Sequence, residues 1–551
     1  MLICPAALVS AAAPQPEQDL TTGMVVSSHH LADAIGKAVL DNGGNAVDAA
    51  VAVGYALAVV HPSAGNIGGG GFAVITLADG SKTTIDFREV APAKATRDMY
   101  LDDKGDVAPE LSTTGYLAAG VPGTVAGLCA LRDKYGTKPL AELMAPAIKL
   151  AEEGFEISLR QQQTMEEAAD KFKRFASTRK YFLKADGEVY QEGELLLQKD
   201  LAKTLKLISQ KGPDGFYKGA VADLIEKDMK ANGGLITKED LANYAVAWRE
   251  PALGSYRGYE IVSMAPPSSG GVHLVQILNV LENAELKEMG FGSAKTVHLM
   301  AEAMRYAFAD RSEYLGDPAF AEVPAEQLMA KEYAKNIYDQ IVAYGQKARP
   351  SSEVRPGLPP KEKTQTTHYS VLDWKGNAVA VTYTINDTYG SAAALDGAGF
   401  LLNNEMDDFV AKPGVPNIYG LVGGQANAVE PGKRPLSSMT PTIVLKDDKP
   451  FLVVGSPGGP RIITSTLQTI INVIDHGMNI SQAVYAPRVH MQWLPDELRV
   501  EAFGLSPDTS ELLKTMGYNL SVQPDMGDVN AIMVDQESGL MTASSDPRRE
   551  F

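Results

Sequence analysis

A threonine hydroxyl is a weak nucleophile until a base stands beside it, and a free α-amine on the same residue can be that base. Thr366 is positioned to acquire one. It follows Lys347 to Gln365 (KARPSSEVRPGLPPKEKTQ), a stretch holding Pro350, Pro356, Pro359 and Pro360, with few apolar residues and no period. Such a stretch reads as a solvated, mobile linker, in which a peptide bond can be cut without disturbing packed structure. Cutting between Gln365 and Thr366 would make Thr366 a new N-terminus. Directly downstream, HYSVLD, WKG and NAVAVTYTI alternate apolar and polar residues around a loop ending in Gly376, the signature of a hairpin with its glycine left-handed. Pairing Asp373 with Asn377 and counting outward puts Thr366 opposite Thr384, close enough for one hydroxyl to orient the other. Paired threonines are also common on solvated strands, and the pattern by itself leaves both readings open.

Acyl chemistry at a hydroxyl needs donors for the oxyanion. FLVVGSPGGPRII offers a buried-type strand followed by Ser456, Pro457, Gly458 and Gly459, whose N–H groups could point into a cleft, with Pro460 expected to hold Gly459 in extended geometry. A plain strand-to-helix turn fits the same residues. The PLSSM segment, with Ser437 and Ser438, is either a hydroxyl pair for a carboxylate or a loop.

These residues need a framework, and the rest of the chain describes one. Its 551 residues, 45% hydrophobic and 21% charged, suit a large folded core rather than a disordered or fibrous chain. A formal net charge of -18 repels nucleic-acid phosphates and anionic membranes, so neither is expected as a partner. With only Cys4 and Cys129 there is no disulfide framework and no thiolate metal site. Leu2 to Ala13 (LICPAALVSAAA) resembles the apolar region and small-residue cleavage site of an export signal, without the basic start, so residues 1–21 are expected to be a signal remnant and the protein periplasmic or secreted.

Helical periodicity from Ala32 to Leu40 stops at Asn42-Gly43-Gly44, Asn45 can cap a second helix over Ala46 to Val60, and FAVITLADGSKTTIDFRE reads as two strands joined at Asp79-Gly80. From Gly123 to about Gln340 the pattern is mainly helical, with no fixed-period repeat.

The strings TTHYSVLD, GNAVAVTYTIN, LLNNEMDDF, PLSSMTPTI and GSPGGPRII, in that order, resemble the small subunit of the gamma-glutamyltransferases, which are N-terminal-nucleophile hydrolases. Upstream, HPSAGNIGGGGF and DFREVAPAKATRDMYLD resemble that family's large subunit. The likeness runs from about residue 22 to the segment Ser545-Asp546-Pro547-Arg548. It implies an α+β, four-layered αββα sandwich with a helix-rich large portion. It also implies a large subunit over 22–365, with 346–365 as the linker, and a small subunit over 366–551.

By the same resemblance, Thr366 is the nucleophile and processing site, Thr384 its neighbour, and Gly458 and Gly459 the oxyanion hole. Arg88, Ser437 and Ser438 are implied to bind the α-carboxylate of a glutamyl group, and Asn386, Glu405 and Asp408 its α-ammonium. The segment PGVPNIYGLVGG is implied to be a lid carrying Tyr419. The expected activity is transfer of the γ-glutamyl group of glutathione and related amides, through an ester on Thr366, to water or an amino-acid or peptide acceptor. No metal or cofactor is expected. A cephalosporin or glutaryl acylase or a polyglutamate-processing enzyme on the same scaffold is the nearest rival, and an exported amino-acid-binding protein is the rival of another class.

Overall fold

The structure is a computed structural model that describes residues 22–354 and 366–548; residues 1–21 and Gln365, with the expected signal remnant and cleavage bond, lie outside the described residues. Two six-stranded antiparallel sheets form its centre. The first runs, neighbour to neighbour, through Gly23–Val26, Thr367–Asp373, Ala378–Thr384, Gly70–Thr76, Lys82–Asp86 and Ala247–Arg249. The second runs through Met541–Ser544, Asn530–Val534, Lys449–Gly455, Thr442–Lys446, Tyr259–Ser263 and Ala252–Tyr256.

Side chains alternate across each strand, which lets the layers be read from the residues themselves. In the hairpin of the first sheet, Leu372, Ala378 and Ala380 point toward the second sheet, where they meet Ile443, Val453 and Ile532 in one buried cluster. Tyr369, Val371, Val379, Val381 and Tyr383 point the other way, into a cluster with the helix Ala46–Val60. On the far side of the second sheet, Val444, Leu452 and Val454 pack against Gly270–Leu281 and Arg461–Ile474. Helices, two sheets and helices again make the expected αββα sandwich.

The opening elements form as their capping residues suggest. The first helix is His30–Asp41, Gly43 is left-handed after it, and Asn45 closes a capping box onto Asp48 to start Ala46–Val60. Two expectations need correction. The region read as mainly helical also contains Ala247–Arg249, Ala252–Tyr256 and Tyr259–Ser263, which complete an edge of each sheet; strands this short are averaged away in a long helical stretch. Within the linker, residues 347–354 are docked rather than mobile. The Ala348 N–H donates to the Met516 carbonyl at 2.7 Å, Ser351 N–H to Asp496 Oδ2 at 2.7 Å, and Trp493 Nε1 donates to the carbonyls of Ser351 and Val354. Proline and charge there reflect exposed edges of an anchored segment, not freedom of the whole stretch. The remaining linker residues, 355–365, lie outside the described residues.

The strand Gly23–Val26, which no periodicity announced, pairs with Thr367–Asp373, and Gly70–Thr76 pairs with Ala378–Thr384. The hairpin from after residue 365 is therefore flanked on both sides, within one sheet, by strands from before it.

Candidate active site

The hairpin register is the one obtained by counting. Leu372 pairs with Ala378, Ser370 with Ala380 and Thr367 with Tyr383, while Gly376 takes a φ of 91° in the loop. Thr366 and Thr384 consequently face each other at the open end of the hairpin, on the side that looks toward the second sheet, and the Thr384 hydroxyl donates to Thr366 Oγ1 at 3.4 Å. Thr384 is itself held: the Asn386 N–H donates to its Oγ1 at 2.8 Å. That return of the chain requires a left-handed residue, and Asn386 has a φ of 76°, a conformation asparagine tolerates better than most. The glycine run beside the hairpin has a steric reason. A Cβ on Gly69 would lie 1.9 Å from the Thr384 carbonyl oxygen, so only glycine lets the neighbouring chain approach the hairpin so closely.

The second sheet brings its own loop to this point. Lys449–Gly455 ends where a Cβ on Gly455 would meet the His368 ring at 2.4 Å, and Ser456 to Pro460 then lead into the helix Arg461–Ile474. Gly458 and Gly459 have φ values of 130° and 55°. The extended geometry expected of Gly459 is thus corrected to the left-handed region; the clash that proline imposes on its predecessor involves a Cβ that glycine lacks. Among the described residues neither glycine N–H is matched to a backbone acceptor. Gly459 lines the same cleft as Thr366 and Thr384.

At the other end of that cleft stands a cluster of charge. Arg88 follows the strand Lys82–Asp86, and its guanidinium forms ion pairs with Glu405 and Asp408, which sit on a 3-10 turn, Glu405–Asp408, far along the chain. Arg88 Nε donates to the Pro435 carbonyl at 3.2 Å, and Glu89 lies 3.8 Å from the same guanidinium. The turn that carries the carboxylates is tied down by Asn403, whose Nδ2 donates to the carbonyls of Gly68 and Gly120 and whose Oδ1 accepts from the Glu405 N–H.

Burial raises the Glu405 and Asp408 carboxyls above the ordinary carboxylate range, opposed by Arg88, and pushes Glu89 up to about 7. Burial also works against the Arg88 charge, but Glu405 and Asp408 outweigh it and hold the guanidinium firmly protonated. The acidic turn is therefore not a solvated one.

Ser437 and Ser438 reach the cleft from the loop before Thr442–Lys446, and Asn386, Glu405 and Asp408 line its other wall. The residues singled out in the sequence from Arg88 to Gly459 are thus gathered around one cleft, with Gly458 adjoining Gly459 in the loop. The segment expected to be a lid lines the same cleft through Tyr419 and Leu421. Tyr419 is buried, its hydroxyl donates to Asn386 Oδ1, and the Ile418 N–H donates to Asp407 Oδ2 at 2.7 Å. Asp407 also accepts from Ser112 Oγ at 2.6 Å, and burial lifts its carboxyl to about 7.

Two participants were not foreseen. Asp407 had no role assigned from the sequence and anchors the segment that carries Tyr419. Arg311, on the helix Ala294–Tyr314, is buried against Ser269 and Ser438 and lines the cleft. A signal existed for Arg311: Val297, Ala301, Met304 and Phe308 mark a buried helical stripe, and Arg311 falls on its next position. Among the described residues no group of three or more His, Cys, Asp or Glu side chains is arranged to hold a metal ion.

The chain as a whole is similar to known proteins. A family model described as Gamma-glutamyltranspeptidase matches residues 32–551. The chain is 56% identical over 534 residues to a glutathione hydrolase proenzyme of Escherichia coli, covering 96% of this chain and 90% of that one. It is 40% identical over 529 residues to an acylase proenzyme, ACY 1, of a Pseudomonas species, covering 95% and 91%. Among solved structures, the gamma-glutamyltranspeptidase of Helicobacter pylori matches with 59% identity and a TM-score of 0.61 over 62% of this chain and 97% of that one. A cephalosporin acylase of Bacillus halodurans matches with a TM-score of 0.86 and 28% identity over 99% and 98%.

Proposed function

Because the chain belongs to the gamma-glutamyltranspeptidase family, we propose that it is a self-processing enzyme that cleaves the γ-glutamyl amide bond of glutathione and related compounds and passes the glutamyl group to water or to an amine acceptor. One observation carries this reading: a hydroxyl pair, Thr366 and Thr384, shares a cleft with a buried cluster in which Arg88, Glu405 and Asp408 match a zwitterionic amino-acid head group.

The chemistry follows from the geometry. Cleavage before Thr366 frees its α-amine, and the two products remain interlocked because the hairpin that follows the cut sits between strands that precede it in the first sheet. Thr366 Oγ attacks the γ-carbonyl and passes its proton to the α-amine, while the carbonyl oxygen becomes an oxyanion held by the Gly458 and Gly459 N–H groups. Thr384 fixes the attacking hydroxyl, and collapse of the intermediate expels the amine, which leaves with the proton. Water or an acceptor amine then attacks the γ-glutamyl ester on Thr366. The ammonium of the head group meets Asp408, Glu405 and Asn386, and its carboxylate meets Ser437 and Ser438 on the Arg88 side. Tyr419, seated on Asn386, closes the head-group end from solvent.

An exported enzyme, periplasmic or secreted, is part of the proposal and rests on the apolar run from Leu2 to Ala13. Fractionating an expressing cell tests it: activity confined to the cytoplasm overturns that part.

The acylase reading is separated by the head group, since a glutaryl donor has no ammonium for Asp408 to meet. Hydrolysis of γ-glutamyl anilide should exceed that of glutaryl anilide on the order of 100-fold, the worth of a charge-assisted contact or two. Preference for the glutaryl compound would sink the reading. N-terminal sequencing of the smaller fragment should begin at Thr366.

A further inference from the structure

Resting on the γ-glutamyl reading, we infer that Asp528 is a positioning residue for the reaction: its buried carboxylate, set beside the start of the strand Thr367–Asp373, steadies the ammonium that forms when the Thr366 α-amine takes the hydroxyl proton. As Thr366 Oγ bonds to the γ-carbonyl carbon, its proton moves to the amine, which becomes –NH₃⁺ while the oxyanion forms. In a buried site such a charge is costly unless a fixed negative charge lies near it.

Asp528 reaches this point because the two sheets stack in step. Ile532 packs in one cluster with Leu372, the Ser370 hydroxyl donates to the Asn530 carbonyl at 3.0 Å, and Asn530 Nδ2 donates to the His368 carbonyl at 3.1 Å. Two residues further back, Asp528 falls level with Thr366 and Thr367. A relay closes the gap: Ser28 Oγ donates to Asp528 Oδ2 at 3.0 Å and lies 3.1 Å from Thr367 Oγ1. On its other side Asp528 is fixed to the loop of the glycine pair, since its N–H donates to Ser456 Oγ at 3.0 Å and a Cβ on Gly458 would lie 3.4 Å from the Gly527 Cα. One carboxylate is thus fastened between the residue that follows Thr366 and the loop that holds Gly458 and Gly459.

The direction of the hydrogen bonds marks it as an ionised acid. Ser28 spends its one proton on Asp528, so Thr367 Oγ1 and, at 3.3 Å, Asn530 Nδ2 both donate to Ser28. Donors therefore point from Thr367 through Ser28 to the carboxylate. Asp528, Ser28 and Thr367 are all buried, where water screens a charge weakly. Of the other groups nearby, His29 and His368 are held by burial down to about 3 and are neutral, and Asp546, which accepts from the Val529 N–H, is paired with Arg488. Arg461 opens the helix behind the glycine loop, and Arg88, Arg311, Glu405 and Asp408 stand at the head-group end of the cleft. All of these persist when Asp528 alone is changed.

The experiment is the pH profile of kcat/KM for γ-glutamyl anilide, on the cleaved wild-type protein and on Asp528→Asn, which keeps the shape of the side chain and removes its charge. A negative charge favours the ammonium, so without it the acidic limb, which reports the free α-amine, should move to lower pH by about half a unit to one unit, with kcat at the plateau falling about three- to tenfold. Asp528→Glu keeps the charge and should hold the limb within about 0.2 units of the wild type. A uniform loss of rate with the limb in place makes Asp528 a structural fastener and overturns the inference. So does an Asp528→Asn chain that folds but stays uncut, because the α-amine does not exist until the cut is made. Should Asp528→Asn fail to fold, Asp528→Ser, smaller and also uncharged, takes its place with the same expectation; failure of both to fold likewise overturns the inference. Wild-type protein that stays whole, or is cut and hydrolyses no γ-glutamyl anilide, refutes the γ-glutamyl reading itself, a result distinct from an unshifted limb.

Discussion

The two ends of the cleft are built in opposite ways. At one end, Thr366 and Thr384 are brought together by a regular hairpin whose partners are close in sequence and whose register follows from its loop. At the other, Arg88 meets Glu405 and Asp408 across more than three hundred residues, and Arg311 arrives from a helix of a different layer. The first is a product of backbone hydrogen bonds and alternation. The second is a product of charge, held in place because each buried ion would be costly alone. Local regularity thus positions the threonine pair, and long-range electrostatics positions the charged cluster.

That contrast can be broken by mutation. Thr366→Ala removes the reacting atom and should have the largest effect, loss of activity by a factor on the order of 10⁴ or more, with a single uncut chain on denaturing electrophoresis. Efficient cutting in this variant would place the nucleophile elsewhere. Asp408→Asn attacks the charged end: it strips Arg88 of one of its ion-pair partners and the ammonium of its acidic contact, and should lower kcat/KM by about 10²- to 10³-fold while leaving the fragments intact. Equal losses with γ-glutamyl anilide and glutaryl anilide would show that Asp408 does not read the ammonium.

Thr384→Ala deletes an orienting hydroxyl but spares the nucleophile, so kcat should drop on the order of tenfold with KM little changed; Thr384→Ser should restore most of it. Unchanged turnover would remove Thr384 from the mechanism.

The smallest effect concerns stability. The Asp407 carboxyl sits at about 7 in the folded chain against an ordinary value of 3.8, so the folded state holds its proton more tightly than the unfolded state does. Its stabilisation is complete below pH 3.8 and is lost as pH rises through 7. Relative to Asp407→Asn, which does not titrate, the wild-type protein should therefore lose on the order of a few kcal/mol across that window. Parallel melting temperatures of the two proteins over the same range would contradict this.

Much of the architecture was legible because it depends on short-range rules. The capping box at Asn45 and Asp48, the left-handed Gly376 and the alternation on both hairpin strands announce their elements without reference to the rest of the chain. The strands Gly23–Val26, Ala252–Tyr256 and Tyr259–Ser263 were not legible, since four or five residues carry too little period to stand out and their pairing partners lie far away. The docking of residues 347–354 was hidden for a related reason: its anchors, Trp493 and Asp496, come from more than a hundred residues downstream.

The sequence by itself determined the pairing of Thr366 with Thr384. A two-residue period and a turn glycine oblige Thr366 and Thr384 to face one another wherever the hairpin lies. Motif likeness then added the residues of the head-group pocket, one position at a time, without saying how their charges divide. Only the tertiary structure decided that Arg88 is engaged by Glu405 and Asp408, that Asp407 anchors the segment carrying Tyr419, and that Arg311 stands buried beside Ser438. The physical reason is range: backbone periodicity acts between neighbours, whereas the worth of a charge depends on burial and on whichever distant groups the fold brings within a few ångströms.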